Sequence, residues 1–229
     1  MKTIGLIGGM SWESTVPYYR HINETIRAQL GGLHSARLLL YSVDFHEIEQ
    51  LQQAGDWDAA GEAMAVAARA LQAGGADFLV LCTNTMHRVA DAIAAAVPLP
   101  LLHIADATAD AVQAAGITRI GLLGTRFTME QDFYRARLQR RGLQVLVPDL
   151  PGREDVHRII YDELCQGVIR DASRRRYRQV IAALQAQGAE AVILGCTEIS
   201  LLIGAGDAML PLFDTTALHA HAAALHSLA

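Results

Sequence analysis

Two short segments place chemically active side chains directly after an apolar run. The first, LVLCTNTMH, covers residues 79–87 and carries a thiol, a hydroxyl and an amide in succession. The second, LGCTE, covers residues 194–198 and carries a thiol, a hydroxyl and a carboxylate. Because a thiolate can act as a base or a nucleophile, Cys82 and Cys196 are the first candidates for catalysis. Thr83 lies beside the first of them.

The two segments belong to an internal repeat. LQAGGADFLVLCTNT, residues 71–85, aligns without gaps with LQAQGAEAVILGCTE, residues 184–198, and six of the 15 positions are identical. IGLIG at Ile4–Gly8 recurs as IGLLG at Ile120–Gly124. LPLLHIADAT is echoed later by LPLFDTT. Three matches in the same order indicate two duplicated lobes, whereas chance similarity among apolar strands is the alternative.

The alignment distinguishes Cys82 from Thr83. Thr83 falls on Cys196, whereas Cys82 falls on Gly195. Successive residues of a strand point to opposite faces of the sheet. We therefore expect Thr83 and Cys196 to occupy equivalent places, and Cys82 to point away as a small buried hydrophobe.

Apolar runs alternate with alanine-rich helical stretches along the whole chain. This alternation predicts an α/β fold with two pseudo-symmetric Rossmann-like lobes, each with a parallel sheet covered on both faces. We predict a first lobe at residues 1–100, completed by a helix at 216–229, and a second lobe at residues 101–215. The predicted strands are Thr3–Gly8, Arg37–Val43, Phe78–Thr83, Leu101–Ile104, Ile120–Gly124, Val145–Val147, Ala191–Cys196 and Leu210–Phe213.

Both active segments end a predicted strand and precede a helical run. Exposed N–H groups at a helix start attract anions, and polar residues such as Asn84 or Thr197 cap such a start. Two starts that face each other across a cleft would hold a small carboxylate. A helix start also lowers the pKa of a cysteine, so we expect Cys196 to be rich in thiolate. The alternative is a buried, inert thiol.

Composition excludes several classes of protein. The 229 residues carry a net charge of -5, which argues against nucleic-acid or anionic-membrane partners, and no apolar stretch is long enough to span a bilayer. An odd number of cysteines, three, indicates reduced thiols in a cytoplasmic protein. The only lysine is Lys2, so a Schiff-base lysine and a Walker A loop are excluded. His219 and His221 diverge by about 200° on a helix, which predicts a polar helix face and no metal site.

Three motifs resemble one family. GLIGGMSWEST near the start, CTNTMH in the middle and GCTEI near the end resemble aspartate/glutamate racemases that work without pyridoxal phosphate. The similarity is greatest to enterobacterial L-aspartate/glutamate-specific members with the CTNTMH string. The resemblance implies a site in a cleft between two lobes, a homodimer, and one acid–base group from each lobe. Thr83 occupies the position at which most members have a cysteine.

The resemblance implies roles for further residues. Cys196 is implied as the thiolate base on the L face of the substrate, with Thr83 on the opposite face. A hydroxyl is a weaker acid than a thiol by about seven pKa units, on the order of 10 kcal/mol, so Thr83 relays a proton or holds a water that does. The expected substrate contacts are Met10, Ser11, Gln52, Asn84, Thr85, Thr125, Thr197 and Glu198.

Several of these residues have a simpler interpretation. Ser11 could be a plain helix cap, and Gln52 taken alone is typical of a surface polar residue. Arg126 could meet a side-chain carboxylate of the substrate or form a structural ion pair. Cys165 stands where many aspartate racemases have a lysine that recognises that carboxylate.

The sequence thus predicts an isomerase, a racemase of L- and D-aspartate or glutamate that uses no cofactor and no metal. Its expected partners are a small amino acid and a second copy of itself. Two other kinds of protein remain as alternatives. One is a related enzyme: a hydantoin racemase, maleate isomerase or arylmalonate decarboxylase. The other is a non-catalytic amino-acid-binding protein.

Overall fold

The chain forms two compact units in the computed structural model, which describes all residues from 1 to 229. The first unit comprises Met1–Ile104 and His219–Ala229, and the second comprises Ala105–Leu218. Each unit contains one four-stranded parallel sheet covered by helices. The predicted α/β fold with two lobes of parallel sheet is confirmed.

The first unit has the strand order β2-β1-β3-β4. The final helix, α11, starts in the second unit and returns the chain to the first. The strands are β1 (Ile4–Gly8), β2 (Leu38–Ser42), β3 (Phe78–Leu81) and β4 (Leu101–Leu102). The helices are α1 (Trp12–Leu30), α2 (Phe45–Ala54), α3 (Trp57–Ala73), a 3₁₀ helix (Thr85–Val89), α4 (Ala90–Ala96) and, at the end of the chain, α11 (Thr215–Leu228).

The second unit repeats this topology with the order β6-β5-β7-β8. The strands are β5 (Arg119–Gly124), β6 (Gln144–Leu146), β7 (Ala191–Gly195) and β8 (Leu212–Asp214). The α-helices are α5 (Ile104–Ala114), α6 (Arg126–Glu130), α7 (Asp132–Arg140), α8 (Leu150–Asp162), α9 (Asp171–Ala186) and α10 (Ile199–Leu202). Short 3₁₀ helices lie at Leu164–Gln166 and Ala205–Asp207.

All eight predicted strands form, with ends that differ from the prediction by two residues or fewer. The parallel arrangement brings the carboxyl ends of all four strands of a sheet to one edge. Thr83 follows β3 at this edge of the first sheet, and Cys196 follows β7 at the same edge of the second. Both residues are therefore placed where open α/β sheets bind ligands.

The core clusters confirm the predicted phase of the opening motif. Leu79 and Leu81 of β3 pack with α3, whereas Val80 and Cys82 pack on the other face of the sheet with α1 and α11. In the second unit, Val192, Leu194 and Cys196 pack together with α8 and α9. Because Val192 and Leu194 align with Leu79 and Leu81, Cys82 lies on the face opposite to the one that corresponds to Cys196. That Thr83 shares its orientation with Cys196 stays a prediction of the repeat.

Local signals in the sequence explain how the first-unit helices begin and end. Asp44 and Asp56 precede α2 and α3, and their carboxylates accept the N–H groups of His46 and Ala59. Gly55 ends α2 in the left-handed conformation that glycine favours. No helix of either unit combines the length and the apolar character that a membrane crossing requires.

Candidate active site

Cys82 is a core residue of the first unit. Its side chain is fully buried, and its thiol lies 3.9 Å from the carbonyl oxygen of Val80. Burial raises the pKa of the Cys82 thiol, because the charged thiolate loses its hydration. The prediction that Cys82 behaves as a small buried hydrophobe is confirmed.

Thr83 is held through its backbone. The carbonyl oxygen of Thr83 accepts a hydrogen bond from Nδ1 of His87 at 2.7 Å, and the N–H of Ile104 donates to Nε2 of the same ring at 3.2 Å. Because a backbone N–H can only donate, His87 is neutral and carries its proton on Nδ1. The Thr83 hydroxyl itself makes no hydrogen bond within the protein, so it is available to a substrate or a water molecule.

A buried polar cluster surrounds this tether. His219 is fully buried, accepts the Tyr18 hydroxyl at Nδ1 (2.9 Å) and donates from Nε2 to the carbonyl oxygen of Leu102 (2.8 Å). Its ring is 5.9 Å from that of His87, which in turn lies 4.3 Å from that of His103. Burial lowers the pKa of His219 to about 4. The prediction that His219 lies on a polar helix face is therefore wrong.

The residues that follow Thr83 are also buried. Asn84 directly precedes the 3₁₀ helix that begins at Thr85, and both side chains are shielded from solvent. Gln52 on α2 is buried as well, and its amide donates to the sulfur of Met86 at 3.1 Å. The interpretation of Gln52 as a surface residue is wrong, because packing of α2 brings its amide to the segment that carries Thr83.

Met10 and Ser11 follow β1 at the same edge of the first sheet. Met10 packs into the core, and Ser11 occupies the N-cap position of α1 without a capping bond from its side chain. Its carbonyl oxygen accepts the hydroxyl of Thr15, whose oxygen accepts the N–H of Gly9, both at 2.9 Å. Ser11 is thus the N-cap residue of α1, as the simpler interpretation expects, but its side chain makes no capping hydrogen bond.

Close approach of two strands positions the second-unit residues. Gly124 of β5 pairs with Gly195 of β7, and a Cβ atom at Gly124 would lie 2.7 Å from the carbonyl oxygen of Gly195. Only glycine fits there. Thr125 and Cys196 are the next residues on these two strands, so they are neighbours at the sheet edge. The hydroxyl of Thr125 accepts the N–H of Thr128 at 3.3 Å and caps α6.

Cys196 and Glu198 form a buried pair. The thiol of Cys196 donates to Oε2 of Glu198 at 2.8 Å, and the hydroxyl of Thr197 donates to the same oxygen at 3.0 Å. The side chains of Glu198 and Thr197 are almost fully buried, whereas 8% of Cys196 remains exposed. Oε2 of Glu198 is therefore positioned to accept the proton of the Cys196 thiol.

The pKa of Cys196 differs from the sequence-based expectation. Burial, and next the negative charge of Glu198, raise the pKa of the thiol well above its ordinary value. The expected lowering at a helix start is wrong, because α10 has only four residues and the nearest charge is a carboxylate. Cys196 is therefore a thiol at neutral pH until its proton is taken.

Arg126 is exposed at the start of α6 and forms no ion pair. The interpretation of Arg126 as a member of a structural ion pair is thus wrong. Its backbone N–H donates to Nδ1 of His157 at 3.2 Å, and its guanidinium lies 5.6 Å from the ring of Phe127.

Each unit contributes its own set of candidate residues at the carboxyl edge of its sheet. The first set is Met10, Ser11, Gln52, Thr83, Asn84 and Thr85, and the second is Thr125, Cys196, Thr197 and Glu198. Sequence reasoning missed His87, His103 and His157, although the first two lie within motifs already quoted. No group of three or more His, Cys, Asp or Glu side chains is arranged to hold a metal ion.

Comparison with known proteins places this arrangement in a family. Residues 7–223 match the model of the family described as Asp/Glu/Hydantoin racemase. The chain belongs to this family. The predicted resemblance is confirmed at the family level.

Several proteins resemble this racemase-family member over all or most of its length. It is 61% identical to a candidate Asp/Glu racemase from Yersinia pestis, with a TM-score of 0.92 between the structures and both chains covered in full. It is 34% identical to an aspartate racemase homologue from Pyrococcus horikoshii OT3, with a TM-score of 0.85 and again full coverage of both chains. The broad specificity amino-acid racemase RacX of Bacillus subtilis (strain 168) is 23% identical over 223 residues, 93% of each chain.

Proposed function

We propose that this protein is a cofactor-independent racemase that interconverts L- and D-aspartate or glutamate. The observation that carries the proposal is the buried thiol–carboxylate pair of Cys196 and Glu198 at the carboxyl end of β7. A base of this kind is what removal of an α-proton requires. Membership of a racemase family supports the reaction class.

The first step is proton abstraction from the L-enantiomer. The Cys196 proton passes to Oε2 of Glu198, and the resulting thiolate takes the α-proton of the substrate. Transfer to Glu198 neutralises the carboxylate, so the thiolate never lies beside a second negative charge. The raised pKa of the resting thiol is consistent with a proton that the two groups share.

The second step is reprotonation from the opposite face. We assign it to Thr83, whose hydroxyl is available and whose backbone His87 holds in place. The hydroxyl, or a water molecule that it orients, delivers a proton to the planar carbanion. The Thr83 hydroxyl or the water then regains a proton from solvent, and Glu198 releases its proton to solvent, so that both groups return to their starting states.

The remaining candidate residues are proposed to contact the substrate. Most of them are buried and polar, so their hydrogen-bonding groups have little competition from bulk water. Glu198 is reassigned in this proposal from substrate contact to proton acceptor, because its carboxylate would repel a substrate carboxylate. The proposed substrate contacts are Met10, Ser11, Gln52, Asn84, Thr85, Thr125 and Thr197.

The position of the only lysine supports a mechanism without pyridoxal phosphate. Lys2 precedes β1, and its backbone N–H donates to Ser227 at the end of α11. This is the amino-terminal edge of the first sheet, whereas Thr83 follows a strand at the carboxyl edge. A Schiff base on Lys2 would form far from the proposed chemistry.

We also propose that the protein is a cytoplasmic homodimer. An apolar face of α1 supports the dimer: Trp12, Val16 and Tyr19 lie on one side of the helix, and each is more than half exposed. Three cysteines without disulfide bonds support a reducing compartment.

The test is exchange of the substrate α-proton in D₂O, followed by NMR for each amino-acid enantiomer separately. We expect exchange with L-aspartate or L-glutamate in the wild type, and loss of that exchange in Cys196→Ala. The matched control is Cys82→Ala, which removes an equivalent sulfur from the core and should retain most of the activity.

The same screen separates the alternative functions. Turnover of hydantoins, maleate or aryl malonates without exchange of amino acids would replace the proposal with one of the related reactions. Binding of an amino acid without any exchange would indicate a binding protein. Wild-type exchange rates in Cys196→Ala would refute the role of the thiol.

A further inference from the structure

Cys165 and Cys196 lie in the same hydrophobic cluster of the second unit. Cys196 belongs to the buried core of this cluster, and Cys165 packs against that core while part of its side chain remains exposed to solvent. The third cysteine, Cys82, is fully buried in the first unit. A reaction between two sulfur atoms within one unit therefore involves Cys165 and Cys196.

Both cysteines are close to one short helix, α10. Cys165 lies in the first 3₁₀ helix of the second unit, and this 3₁₀ helix contacts α10. Cys196 lies just before α10, and its carbonyl oxygen accepts the N–H of Ile199 at 3.1 Å. Burial, then the charge of Glu198 and then that of Cys165 raise the pKa of the Cys196 thiol. Because two thiolates repel each other only at close range, this effect agrees with the packing.

Tyr177 on α9 is a second indicator of the same proximity. Its side chain is fully buried in this cluster, and its hydroxyl donates to the carbonyl oxygen of Val156 at 3.3 Å. Burial raises the pKa of Tyr177 well above its ordinary value, and the charges that Cys196 and Cys165 carry as thiolates raise it further. Both sulfur atoms therefore lie near one aromatic side chain, on the face of the sheet that α8 and α9 cover.

The turn that carries Cys165 is built around Glu163. The buried carboxylate of Glu163 accepts the hydroxyl of Ser173 on α9 at 2.6 Å. Its backbone carbonyl oxygen accepts the N–H groups of Gln166 and Val168, at 3.0 and 2.9 Å. These bonds hold the turn against α9, so the Cys165 thiol stays beside the cluster that contains Cys196.

We propose that Cys165 and Cys196 form a reversible disulfide bond that stops the reaction at Cys196 under oxidising conditions. A sulfur atom in a disulfide has no thiolate form, so it cannot accept the α-proton of a substrate. Disulfides in reducing compartments are mostly transient and redox-sensing, and this one would be of that kind. The loss of activity rests on the proposed racemase function, whereas formation of the bond does not.

The oxidant is a low-molecular-weight disulfide, RS–SR, and it reacts first with the exposed thiol. The Cys165 thiolate attacks one sulfur of RS–SR, a mixed disulfide forms, and RS⁻ leaves and takes up the proton that Cys165 released. Cys196 then gives its proton to Glu198, and the thiolate attacks the sulfur of Cys165. The second RS⁻ leaves and takes up a proton from solvent, and Glu198 releases its proton to solvent. Two protein thiols are thereby oxidised to one disulfide, and RS–SR is reduced to two molecules of RSH.

The test treats the purified protein with oxidised glutathione and maps its disulfides by mass spectrometry. Free thiols are blocked before digestion, and trypsin places Cys82, Cys165 and Cys196 on the separate peptides 70–88, 159–170 and 179–229. We expect peptides 159–170 and 179–229 to be linked. Exchange of the α-proton of L-glutamate should fall at least about tenfold, and dithiothreitol should reverse both changes.

Variants of each cysteine separate this disulfide from other oxidation. Cys165→Ser and Cys165→Ala should form no link and should keep their exchange rates, each measured against its own reduced form. The matched control is Cys82→Ala, which removes a sulfur from the first unit and should form the link and lose activity as the wild type does. Cys196→Ala should retain glutathione on Cys165, because the second thiol is missing.

The two readouts distinguish failure of this inference from failure of the racemase proposal. A wild type that carries glutathione on Cys165 without the link to Cys196 would overturn the disulfide. Equal loss of exchange in Cys165→Ser, or full exchange in the linked protein, would overturn its effect on the reaction. If the reduced wild type exchanges no amino acid, the racemase proposal fails, and the peptide map alone then decides whether the disulfide forms.

Discussion

Cys196 and Glu198 show at the scale of single residues how a buried carboxylate changes the behaviour of a thiol. The carboxylate accepts the thiol proton in a short contact and opposes formation of the thiolate by its charge. The same group that holds the proton therefore makes the free thiolate scarce. A reaction at this thiol therefore depends on transfer of its proton to Glu198, and not on a permanently ionised cysteine.

Replacing Glu198 by glutamine should separate these two effects. Glu198→Gln removes the negative charge, so the pKa of Cys196 should fall and alkylation by iodoacetamide should begin at lower pH than in the wild type. Exchange of the substrate α-proton should nevertheless fall at least tenfold, because the proton acceptor is lost. Both proteins are compared in a Cys165→Ser background, so that alkylation reports Cys196 and not the partly exposed Cys165.

A structural role for Glu198 would give a different result. In that case loss of order would expose the buried thiols, so alkylation would rise at every pH and would include Cys82, while exchange declined. An unchanged alkylation profile with unchanged exchange would show that Glu198 has no part in the proton transfer.

Thr83 is the second residue whose type should limit the reaction. In Thr83→Cys a thiol replaces a hydroxyl at the position equivalent to Cys196, so exchange of the D-enantiomer should rise at least about tenfold, the effect of roughly 1.4 kcal/mol removed from a barrier. Thr83→Ser keeps a hydroxyl and serves as the control, with exchange close to the wild type. Equal D and L exchange in the wild type, with no gain in Thr83→Cys, would show that Thr83 does not limit the rate.

At the scale of elements, α11 connects to α1 and β4 through one buried histidine. His219 accepts the hydroxyl of Tyr18 on α1 and donates to the carbonyl oxygen of Leu102 on β4. Its neighbour His87 supports the backbone of Thr83. The elements that hold the Thr83 segment thus meet in a cluster whose hydrogen bonds require neutral imidazoles.

Acid should weaken the hydrogen bonds that His219 forms with Tyr18 and Leu102 in a defined pH range. The pKa of His219 is about 4 in the folded protein and about 6.5 in an unfolded chain, so its stabilising contribution is complete above pH 6.5 and is lost as the pH falls to 4. The full loss is about 3 kcal/mol of unfolding free energy. Urea unfolding at several pH values should show this slope in the wild type and a smaller one in His219→Gln.

Tyr18→Phe provides the control for this measurement. It removes one hydrogen bond but leaves His219 buried, so the slope with pH should remain while the stability falls at every pH. A wild-type slope identical to that of His219→Gln would contradict the assignment.

At the scale of the whole molecule, a racemase must leave its end point unchanged. The two enantiomers have equal free energy in water, so under the proposed mechanism any difference between Cys196 and Thr83 would appear only in kcat and KM. One unit supplies a thiol and a carboxylate, whereas the other supplies two hydroxyls. This difference would change the rates of the two directions of the reaction and not the equilibrium. Thr83 and Thr85 of the first unit align with Cys196 and Glu198 of the second.

The proposed dimer can be tested on the exposed face of α1. Val16→Asp and Tyr19→Asp place a charge on that face and should shift the protein to monomers in sedimentation velocity experiments, because a buried unpaired charge is costly. Val66→Asp is the control, since Val66 is an exposed residue of α3 away from this face. A monomeric wild type, or a dimer that survives both α1 substitutions, would refute the proposed interface.

The sequence determined the sheets, the duplication and the phase of the key strand by itself. Strand and helix periodicities are local properties, so all eight strands were predictable from apolar runs. The ungapped repeat fixed which of two adjacent residues shares its orientation with Cys196, because side chains alternate along a strand. The repeat thus separated Thr83 from Cys82, and the core clusters of the first unit confirm that Cys82 packs on the opposite face from Leu79 and Leu81.

Tertiary structure alone decided the electrostatic properties of the candidate residues. The pKa of Cys196 depends on desolvation and on the orientation of Glu198 two residues away, and neither follows from strand phase. Burial of Gln52 and His219, and the absence of an ion pair at Arg126, likewise depend on how helices pack against distant parts of the chain. Local sequence patterns predict secondary-structure elements, whereas the pKa and the ion pairs of a side chain depend on every group that packing brings near it.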